Sequence, residues 1–164
     1  MGETYFKNKV VLITGASRGI GRAIAEAFSL CEARVVANYN KSEKEVTELV
    51  DSLKRKNCDI EAYRADVTNG KEVEKMIDEV VAKYEGIDVV INNAGLKRDS
   101  FISMMSEDDW NKVIDVNLTS VYHVTKWVSR AMIRQRRGKI INISSLSAFK
   151  GLAGQANYAA AKEV

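Results

Sequence analysis

The first forty residues place an apolar run, a glycine turn and a helical stretch in succession, and this order limits the fold more than any other feature. Lys9–Thr14 is apolar and β-branched, which is typical of a strand buried on both faces. Glycines follow at positions 15, 19 and 21, and Arg22–Cys31 is strongly helical. Arg34–Tyr39 has the composition of a second strand, so the segment predicts one βαβ unit of a parallel sheet.

The glycine turn has the properties of a phosphate-binding turn. Gly15 permits a tight turn, Gly19 lets the backbone approach a phosphate, and Gly21 lets helix and strand pack closely. The spacing is G-x-x-x-G-x-G rather than the commoner G-x-G-x-x-G, but the helix N-terminus faces a pyrophosphate in both. A plain glycine turn is the alternative, which the flanking strand and helix disfavour. The candidate cofactor-binding residues here are Gly15, Ser17, Arg18, Gly19, Ile20 and Gly21.

The end of the second predicted strand indicates which dinucleotide binds. Folds that bind NAD usually carry Asp or Glu there, in contact with the ribose 2′-hydroxyl. Residues 38–41 contain no acid, and Asn40 is the candidate contact. Arg18 and Lys41 supply positive charge that suits a 2′-phosphate, so we predict NADP(H) rather than NAD(H). The alternative is that both cations are simply solvated.

The rest of the chain continues to alternate strands with helices. Strands are predicted at Asp59–Ala65, Ile87–Ile91 and Lys139–Ser145, and helices at Ser42–Lys56, from about Lys71 to Tyr84, and from Ser106 to about Arg134. With 46% hydrophobic residues in 164, the pattern predicts a single α/β domain, residues 1–164, with a Rossmann-like doubly wound parallel sheet.

Polar residues follow two of these strands, at the edge where open α/β sheets bind ligands. The candidate contacts at these strand ends are Asn93, Ala94, Gly95, Asp66 and Val67. Asp66 has two possible roles, because its carboxylate could accept a hydrogen bond from an adenine amino group or, like Thr68, cap the following helix.

The composition argues against several classes of protein. No apolar run reaches the length of a membrane span, and the first residues lack the apolar core of a signal peptide. Cys31 and Cys58 lack metal-ligand spacing and are expected to be thiols in a reducing cytoplasm, while His123 is expected to be packed or exposed rather than a ligand. A net charge of +3 does not favour nucleic acid as a partner.

Near the end of the chain, Tyr158 and Lys162 are four residues apart, which places both side chains on one face of a helix. A free phenol, with a pKa of about 10, is a poor acid or base at neutral pH. A nearby ammonium lowers the pKa of a phenol, so the pair could act as a general acid and base. Taken alone, however, the pair is an ordinary surface combination.

Several of these features, taken in order, resemble the short-chain dehydrogenase/reductase family over residues 9–162. The features are the five alternating strands, the glycine turn, Asn-Asn-Ala-Gly at 92–95, Asn117 inside a helix, Ser145, and Tyr158-x-x-x-Lys162. Within the family, the chain is most similar to the 3-oxoacyl-[acyl-carrier-protein] reductases of fatty-acid synthesis. That similarity is carried by Arg98-Asp99, Ile143–Ser145 and Gln155–Lys162.

The resemblance implies an NADP-dependent oxidoreductase that adds hydride to the carbon of a small-molecule ketone. Ser145 would hold the ketone oxygen and Tyr158 would donate the proton. Lys162 would bind the nicotinamide ribose, close to Tyr158, and Asn117 would hold a water that relays protons to Lys162. Ser144 competes with Ser145, but the thirteen residues between Ser145 and Tyr158 match the spacing in similar proteins.

A basic cluster after the long predicted helix has two interpretations. It comprises Arg134, Arg136, Arg137 and Lys139. It could be a solvated helix end whose cations complement the helix dipole. Alternatively, Arg136 and Arg137 could guide an acidic acyl carrier protein, because Arg136 matches the family's carrier-docking arginine.

The chain departs from the family pattern at two points. Glu32 stands where a glycine usually ends the first helix, and a φ above zero there would cost about 1 kcal/mol. Similar proteins also continue beyond Tyr-x-x-x-Lys through a sixth and a seventh strand. We therefore expect a fragment of a longer enzyme or an incompletely recorded one, lacking the last strands, with an exposed sheet edge and a Lys162 helix of about two turns.

Three functions remain as hypotheses. The first is an NADPH-dependent 3-oxoacyl thioester reductase whose parent enzyme is a cytoplasmic homo-oligomer, with weak or absent turnover in residues 1–164 alone. The second is another short-chain dehydrogenase that acts on a sugar, a steroid or an alcohol. The third is a non-catalytic nucleotide-binding module, which would bind nucleotide without reducing an acetoacetyl thioester.

Overall fold

The sheet is built from parallel strands in the order β3-β2-β1-β4-β5. The computed structural model describes residues 5–163, and its strands are β1 Val10–Ile13, β2 Arg34–Tyr39, β3 Ile60–Arg64, β4 Val89–Asn92 and β5 Lys139–Asn142. The direction in which strands are added reverses at β1, which lies between β2 and β4. A ligand crevice forms at the carboxyl ends of strands flanking such a reversal. The predicted Rossmann-like α/β fold is confirmed.

Helices cover both faces of the sheet. They are α1 Gly19–Leu30, α2 Glu43–Lys54, α3 Gly70–Tyr84, α4 Glu107–Ile114, α5 Ser120–Gln135, α6 Leu146–Lys150 and α7 Ala156–Lys162. Asp115–Thr119, between α4 and α5, is π-helical, where the sequence predicted one uninterrupted helix. Within residues 5–163, no helix combines the length and apolarity that a membrane crossing requires.

The core lies on both faces of β1, which explains why that strand is apolar at every position. Val11 and Ile13 pack among residues of α1 and α2, whereas Val10 and Leu12 pack among residues of α3 and α5. All four side chains are at most 3% exposed. Burial on this scale contributes about 1.5–3 kcal/mol for each large aliphatic side chain, so β1 is the central support of the site at its carboxyl end.

The last strand differs from the others. All four residues of β5 are exposed, including Ile140 at 36% and Ile141 at 43%. Among the described residues, β5 pairs only with β4, so its outer edge keeps free backbone donors and acceptors. This is the exposed edge that the sequence led us to expect.

Of the two roles left open for Asp66, that of capping α3, which Thr68 shared, is wrong. The cap is Asn69, whose side-chain oxygen accepts from the backbone N–H of Lys71 at 3.1 Å and of Glu72 at 3.4 Å. Asp66 instead accepts from the backbone N–H of Thr68 at 2.9 Å and from its hydroxyl at 2.7 Å. These bonds turn the chain before the helix, which then begins one residue after Asn69.

Glu32 occupies the left-handed region that the sequence led us to expect, with φ at +60°. Its carbonyl accepts from the N–H of Asn8 at 2.9 Å, and its N–H donates to the carbonyl of Ser29 at 3.1 Å. This backbone conformation costs a non-glycine residue about 1 kcal/mol.

Cys31, Cys58 and His123 lie outside the predicted site. Both cysteines are free and half-buried. His123 Nδ1 lies 3.3 Å from the carbonyl oxygen of Val67, and the ring stands against Gly70 at the start of α3. The histidine therefore joins α5 to the loop after β3.

Candidate active site

The glycine turn after β1 lies against the end of β4. Gly15 has φ at +64°, and a Cβ there would lie 2.9 Å from the Cα of Ala94. Gly19, the first residue of α1, has φ at +56°, and a Cβ there would meet no atom within 4 Å. The N-terminus of α1 therefore opens onto free space, which fits the phosphate groups of a dinucleotide.

Thr14 and Asn93 hold the two strand ends together. The Thr14 hydroxyl accepts from the backbone N–H groups of Asn93 and Ala94, each at 3.0 Å. Asn93 Nδ2 donates to the carbonyls of Thr14 at 2.9 Å and Gly15 at 3.1 Å. The Asn93 side chain, predicted to line the cofactor groove, is thus committed to shaping the turn.

Residues 38–41, at the end of β2, contain no carboxylate, although Asp66 at the end of β3 interacts with both Asn40 and Lys41. Asn38 is buried, and its amide donates to the carbonyl of Ala65 at 3.0 Å while its Oδ1 accepts from the N–H of Gly15 at 3.4 Å. Arg18 and Lys41 are exposed and form no ion pair within residues 5–163. The surroundings fit a 2′-phosphate, because two cations stand where an NAD site usually places an acid.

Asp66, at the end of β3, is held as an ionised acceptor. Burial raises the pKa of its carboxyl, but hydrogen bonds from Thr68 and Asn40 and the charge of Lys41 outweigh burial and leave the pKa below its usual value. The side chain of Val67 is buried in the core. Only the backbone of Val67 is therefore available to a ligand.

Asn117 sits in the π-helical segment and closes the loop after β4. Its Nδ2 donates to the carbonyls of Leu96 at 2.8 Å and Val113 at 2.9 Å, and its Oδ1 accepts from the N–H of Leu96 at 3.1 Å. A Cβ at Gly95 would lie 3.0 Å from Asn117 Oδ1 and 3.9 Å from Lys162 Nζ. The amide therefore has its partners, and Gly95 brings the loop backbone between Asn117 and Lys162.

Lys162 is buried, with 6% of its surface exposed. Its ammonium donates to the carbonyl of Ile143, just beyond β5, at 2.9 Å. Burial lowers the pKa of Lys162, because a buried ammonium loses its hydration. A buried cation with one acceptor among residues 5–163 still has N–H groups for a polar ligand.

The structure separates the roles of Ser144 and Ser145. The Ser144 hydroxyl donates to the backbone carbonyl of Lys162 at 2.5 Å and so joins the end of β5 to α7. Ser145 is half-buried and caps α6, a helix in the predicted loop, by accepting from the N–H of Ser147 at 3.2 Å. This cap leaves the Ser145 proton uncommitted to the backbone.

Tyr158 lies on α7, one turn before Lys162, and is half-buried. The Lys97 ammonium stands 4.7 Å from the centre of its ring. The helix carrying Tyr158 begins beside Asn157, whose Nδ2 donates to the carbonyl of Arg98 at 3.0 Å. Helices α6 and α7 also pack together, so Tyr158 and Ser145 belong to adjoining elements.

A small cavity joins Lys162 to Asn117. Its water-accessible volume is about 10 Å³, which is roughly the room that one water needs. Asn92 also lines it, and Asn92 Oδ1 is buried without a hydrogen-bond partner among the described residues. The structure thus brings Asn117 and Lys162 to one polar cavity, as predicted, whereas Ser145 and Tyr158 do not line it.

The sequence did not assign Lys97, Asn157 or Gln155 to the site. In the sequence, Lys97 belongs to a loop, and Asn157 and Gln155 belong to the segment that resembles the 3-oxoacyl-[acyl-carrier-protein] reductases. Asn157 and Gln155 are buried, and each bonds a residue of the loop at 98–99. Their position immediately before Tyr158 was the available signal, but their partners are more than fifty residues away.

The fold and these strand-end residues define a dinucleotide-binding α/β protein with a Tyr–Lys helix. Residues 9–164 match the model of the family described as short chain dehydrogenase. The chain belongs to the short-chain dehydrogenase family.

Three similar proteins within the family are 3-oxoacyl-[acyl-carrier-protein] reductases. The chain is 44% identical over 154 residues to a 3-oxoacyl-[acyl-carrier-protein] reductase from Synechocystis. The aligned residues make up 94% of this chain and 62% of the relative. It is 43% identical over 155 residues to a reductase of that name from Staphylococcus epidermidis, and the aligned residues make up 94% of this chain and 64% of the relative. It is 43% identical over 154 residues to the Staphylococcus aureus reductase of that name, and the aligned residues make up 94% of this chain and 63% of the relative. The chain therefore spans less than two thirds of the length of these relatives.

Proposed function

We propose that the chain forms the nucleotide-binding and catalytic part of an NADPH-dependent reductase acting on 3-oxoacyl thioesters carried by acyl carrier protein. The observation that carries the proposal is the buried ammonium of Lys162 at the end of β5, one helical turn from Tyr158. The names of the similar proteins supply the substrate class. In this role the 3-oxo group is reduced to a 3-hydroxyl group.

The residues divide the chemistry among them. The nicotinamide, when bound, supplies a hydride to the 3-oxo carbon, and charge develops on the oxygen. Ser145 donates a hydrogen bond to that oxygen, and Tyr158 transfers its hydroxyl proton to it. The Lys162 ammonium stabilises the phenolate left on Tyr158 and holds the cofactor ribose. Lys162 returns a proton to that phenolate and is then reprotonated by a water in the cavity that it shares with Asn117.

The cofactor would lie across the carboxyl ends of β1 and β4. The proposed contacts are those predicted from sequence, namely Gly15, Ser17, Arg18, Gly19, Ile20, Gly21, Asn40, Asp66, Val67, Asn93, Ala94, Gly95, Tyr158 and Lys162. Two of them, Arg18 and Asn40, stand by the 2′-phosphate of NADPH. Their exposure, and the absence of an acid at residues 38–41, support NADPH over NADH.

Replacing Tyr158 or Ser145 tests the catalytic assignment. Tyr158→Phe and Ser145→Ala should each lower the rate of NADPH oxidation with an acetoacetyl thioester by about 100-fold or more, because each removes a proton that the oxygen needs. Ser144→Ala is the matched control and should keep most of the rate, because its hydroxyl serves the Lys162 carbonyl. A Tyr158→Phe chain with near-normal turnover would remove the assignment.

Carrier binding is proposed to depend on Arg136 more than on Arg137. Arg137 Nε donates to Asp88 Oδ1 at 3.0 Å, whereas Arg136 ends α5 with an exposed side chain and no ion pair within residues 5–163. Arg136→Glu should lower kcat/KM for a carrier-bound substrate about tenfold at low salt and leave a small thioester unaffected. If kcat/KM of Arg136→Glu equalled that of wild type on both substrates, Arg136 would be only a solvated residue at the helix end.

We also propose that residues 1–164 fold as one domain and that the protein acts in the cytoplasm as a homo-oligomer. An open groove along α5 supports association. Leu118, Val121 and Tyr122 give this groove an apolar wall.

A further inference from the structure

Asn92 lines the cavity beside Lys162 and has an unpaired amide oxygen. It is the last residue of β4 and is 4% exposed. Its Nδ2 donates to Oδ1 of Asn142, the residue at the paired position of β5, at 2.9 Å. Among the buried side-chain atoms of residues 5–163 that belong to the cavity lining, only Asn92 Oδ1 has no hydrogen-bond partner. A buried acceptor without a partner costs free energy, so we expect a small proton donor to bind there.

Asn117 and Ser144, which also line the cavity, have no proton left to donate into it. Asn117 Nδ2 uses both of its protons on backbone carbonyls, at 2.8 and 2.9 Å. The Ser144 hydroxyl uses its single proton on the Lys162 carbonyl. The ammonium of Lys162 differs, because it has three protons and gives one of them to a carbonyl within residues 5–163. Lys162 is therefore the donor of the cavity, and Asn92 supplies the open acceptor.

One water can connect this donor to this acceptor. The water-accessible volume of about 10 Å³ is roughly the room that one water needs. An ammonium only donates and an amide oxygen only accepts, whereas a water can accept from Lys162 Nζ and donate to Asn92 Oδ1. The positive charge of Lys162 also favours this orientation of the Asn92 amide, because it attracts the oxygen and repels the N–H groups.

We propose that Asn92 is a positioning residue that holds the water from which Lys162 regains its proton. The proposal rests on the proposed function, in which Lys162 returns a proton to the Tyr158 phenolate. The neutral amine then takes a proton from the water, so an O–H bond breaks and an N–H bond forms. The hydroxide that remains takes a proton from solvent, which reaches the cavity past the exposed Asn142. Because Asn92 Oδ1 accepts one proton of the water, the other points at Lys162 Nζ.

Comparing the first turnover with later turnovers tests the proposal. Asn92→Leu is similar in size and lacks the acceptor. With enzyme in excess, reduction of an acetoacetyl thioester by NADPH uses the proton already on Tyr158, so the single-turnover rate should stay within about threefold of wild type. The steady-state rate needs reprotonation and should fall by about tenfold or more. If both rates fall by the same factor, or neither falls, Asn92 does not position a relay water and the proposal is wrong.

Asn142→Ala is the matched control for Asn92→Leu. It removes the same hydrogen bond between Asn92 and Asn142 but leaves Asn92 Oδ1 in place. The ratio of the single-turnover rate to the steady-state rate should therefore equal that of wild type. A ratio in Asn142→Ala as high as in Asn92→Leu would mean that the lost bond between β4 and β5 slows turnover, and this would also overturn the proposal.

A high-resolution crystal structure of the wild-type chain tests the water without measuring activity. It should show an ordered water within about 3.2 Å of both Lys162 Nζ and Asn92 Oδ1. A direct hydrogen bond between these two groups, or a cavity without an ordered water, would contradict the proposal. Protein that holds this water yet reduces no thioester would instead overturn the proposed function, and with it the catalytic purpose of the water.

Discussion

At the scale of single residues, Asp88 shows how one carboxylate supports the opposite end of the sheet from the site. Its Oδ2 accepts from the N–H of Val10, the first residue of β1, at 3.0 Å, and its Oδ1 lies 3.0 Å from Arg137 Nε and 3.7 Å from Lys9 Nζ. The side chain is 14% exposed. Burial raises the pKa of Asp88, but the Val10 and Arg137 hydrogen bonds and the two cations outweigh burial and leave it below the usual value.

This pKa shift predicts a pH-dependent stability. Because the folded-state pKa is lowered, the stabilisation is fully present above the unfolded-state value and is lost as pH falls below about 4. Asp88→Ala should lower the free energy of unfolding by about 2 kcal/mol at pH 7, since it leaves the Val10 N–H unpaired. Urea denaturation from pH 3 to pH 7 measures the difference, which should shrink toward acid pH. Asp88→Asn is the control without a titrating group, and a gap between wild type and Asp88→Asn that is constant with pH would contradict the assignment.

The residues of the site differ in how far the sequence reveals their roles. Gly15 and Gly19 were identifiable because positive φ is a property of the residue type. The partners of Asn93 and Asn117 were not, since an amide can face a ligand or the protein and only the folded backbone decides. The link between Asp99 and Gln155 spans 56 positions and has no local pattern.

At the scale of elements, the close contact of α1 with the end of β4 depends on Gly21. A Cβ at this position would overlap the side-chain amide of Asn93 and the carbonyl of Gly15. Gly21→Ala should therefore destabilise the protein by about 1–3 kcal/mol and weaken NADPH binding by more than tenfold, because the turn must shift. Thermal unfolding and fluorescence titration with NADPH measure the two effects.

Gly70, at the start of α3, is the matched control for that substitution. A Cβ there would lie 3.5 Å from the ring of His123, which is an ordinary contact. Gly70→Ala should leave NADPH binding unchanged and stability equal or slightly higher. A Gly21→Ala chain as stable as Gly70→Ala would show that the turn does not require the glycine.

Elements were predicted well where their pattern is local. Strand β2 has the predicted bounds, and α3 ends at the predicted Tyr84. The π-helical segment was missed because Asn117 is drawn to the backbone of Leu96, a contact between distant parts of the chain. Helix α6 was missed because two glycines nearby suggested a loop, whereas the Ser145 cap is enough to start a short helix.

At the scale of the whole molecule, the doubly wound sheet was predictable because strand, turn and helix alternate in a regular order. Buried runs such as Val10–Ile13 indicated parallel strands covered on both faces. The sequence could not show how α7 is positioned, because Lys162 depends on its bond to the Ile143 carbonyl and on packing between α6 and α7. The predicted chemistry therefore rests on contacts that only the assembled fold provides.

The most direct test of the account is hydride transfer within one turnover. NADPH carrying deuterium at the transferred position would be mixed with an excess of this chain and an acetoacetyl thioester, and the product analysed by mass spectrometry. Mass spectrometry registers slow transfer that a steady-state assay would miss. We predict a 3-hydroxyacyl product that carries one deuterium in wild type, much less of it with NADH, and almost none with Tyr158→Phe. Deuterium transfer that is absent in wild type, or equal in wild type and Tyr158→Phe, would contradict the account.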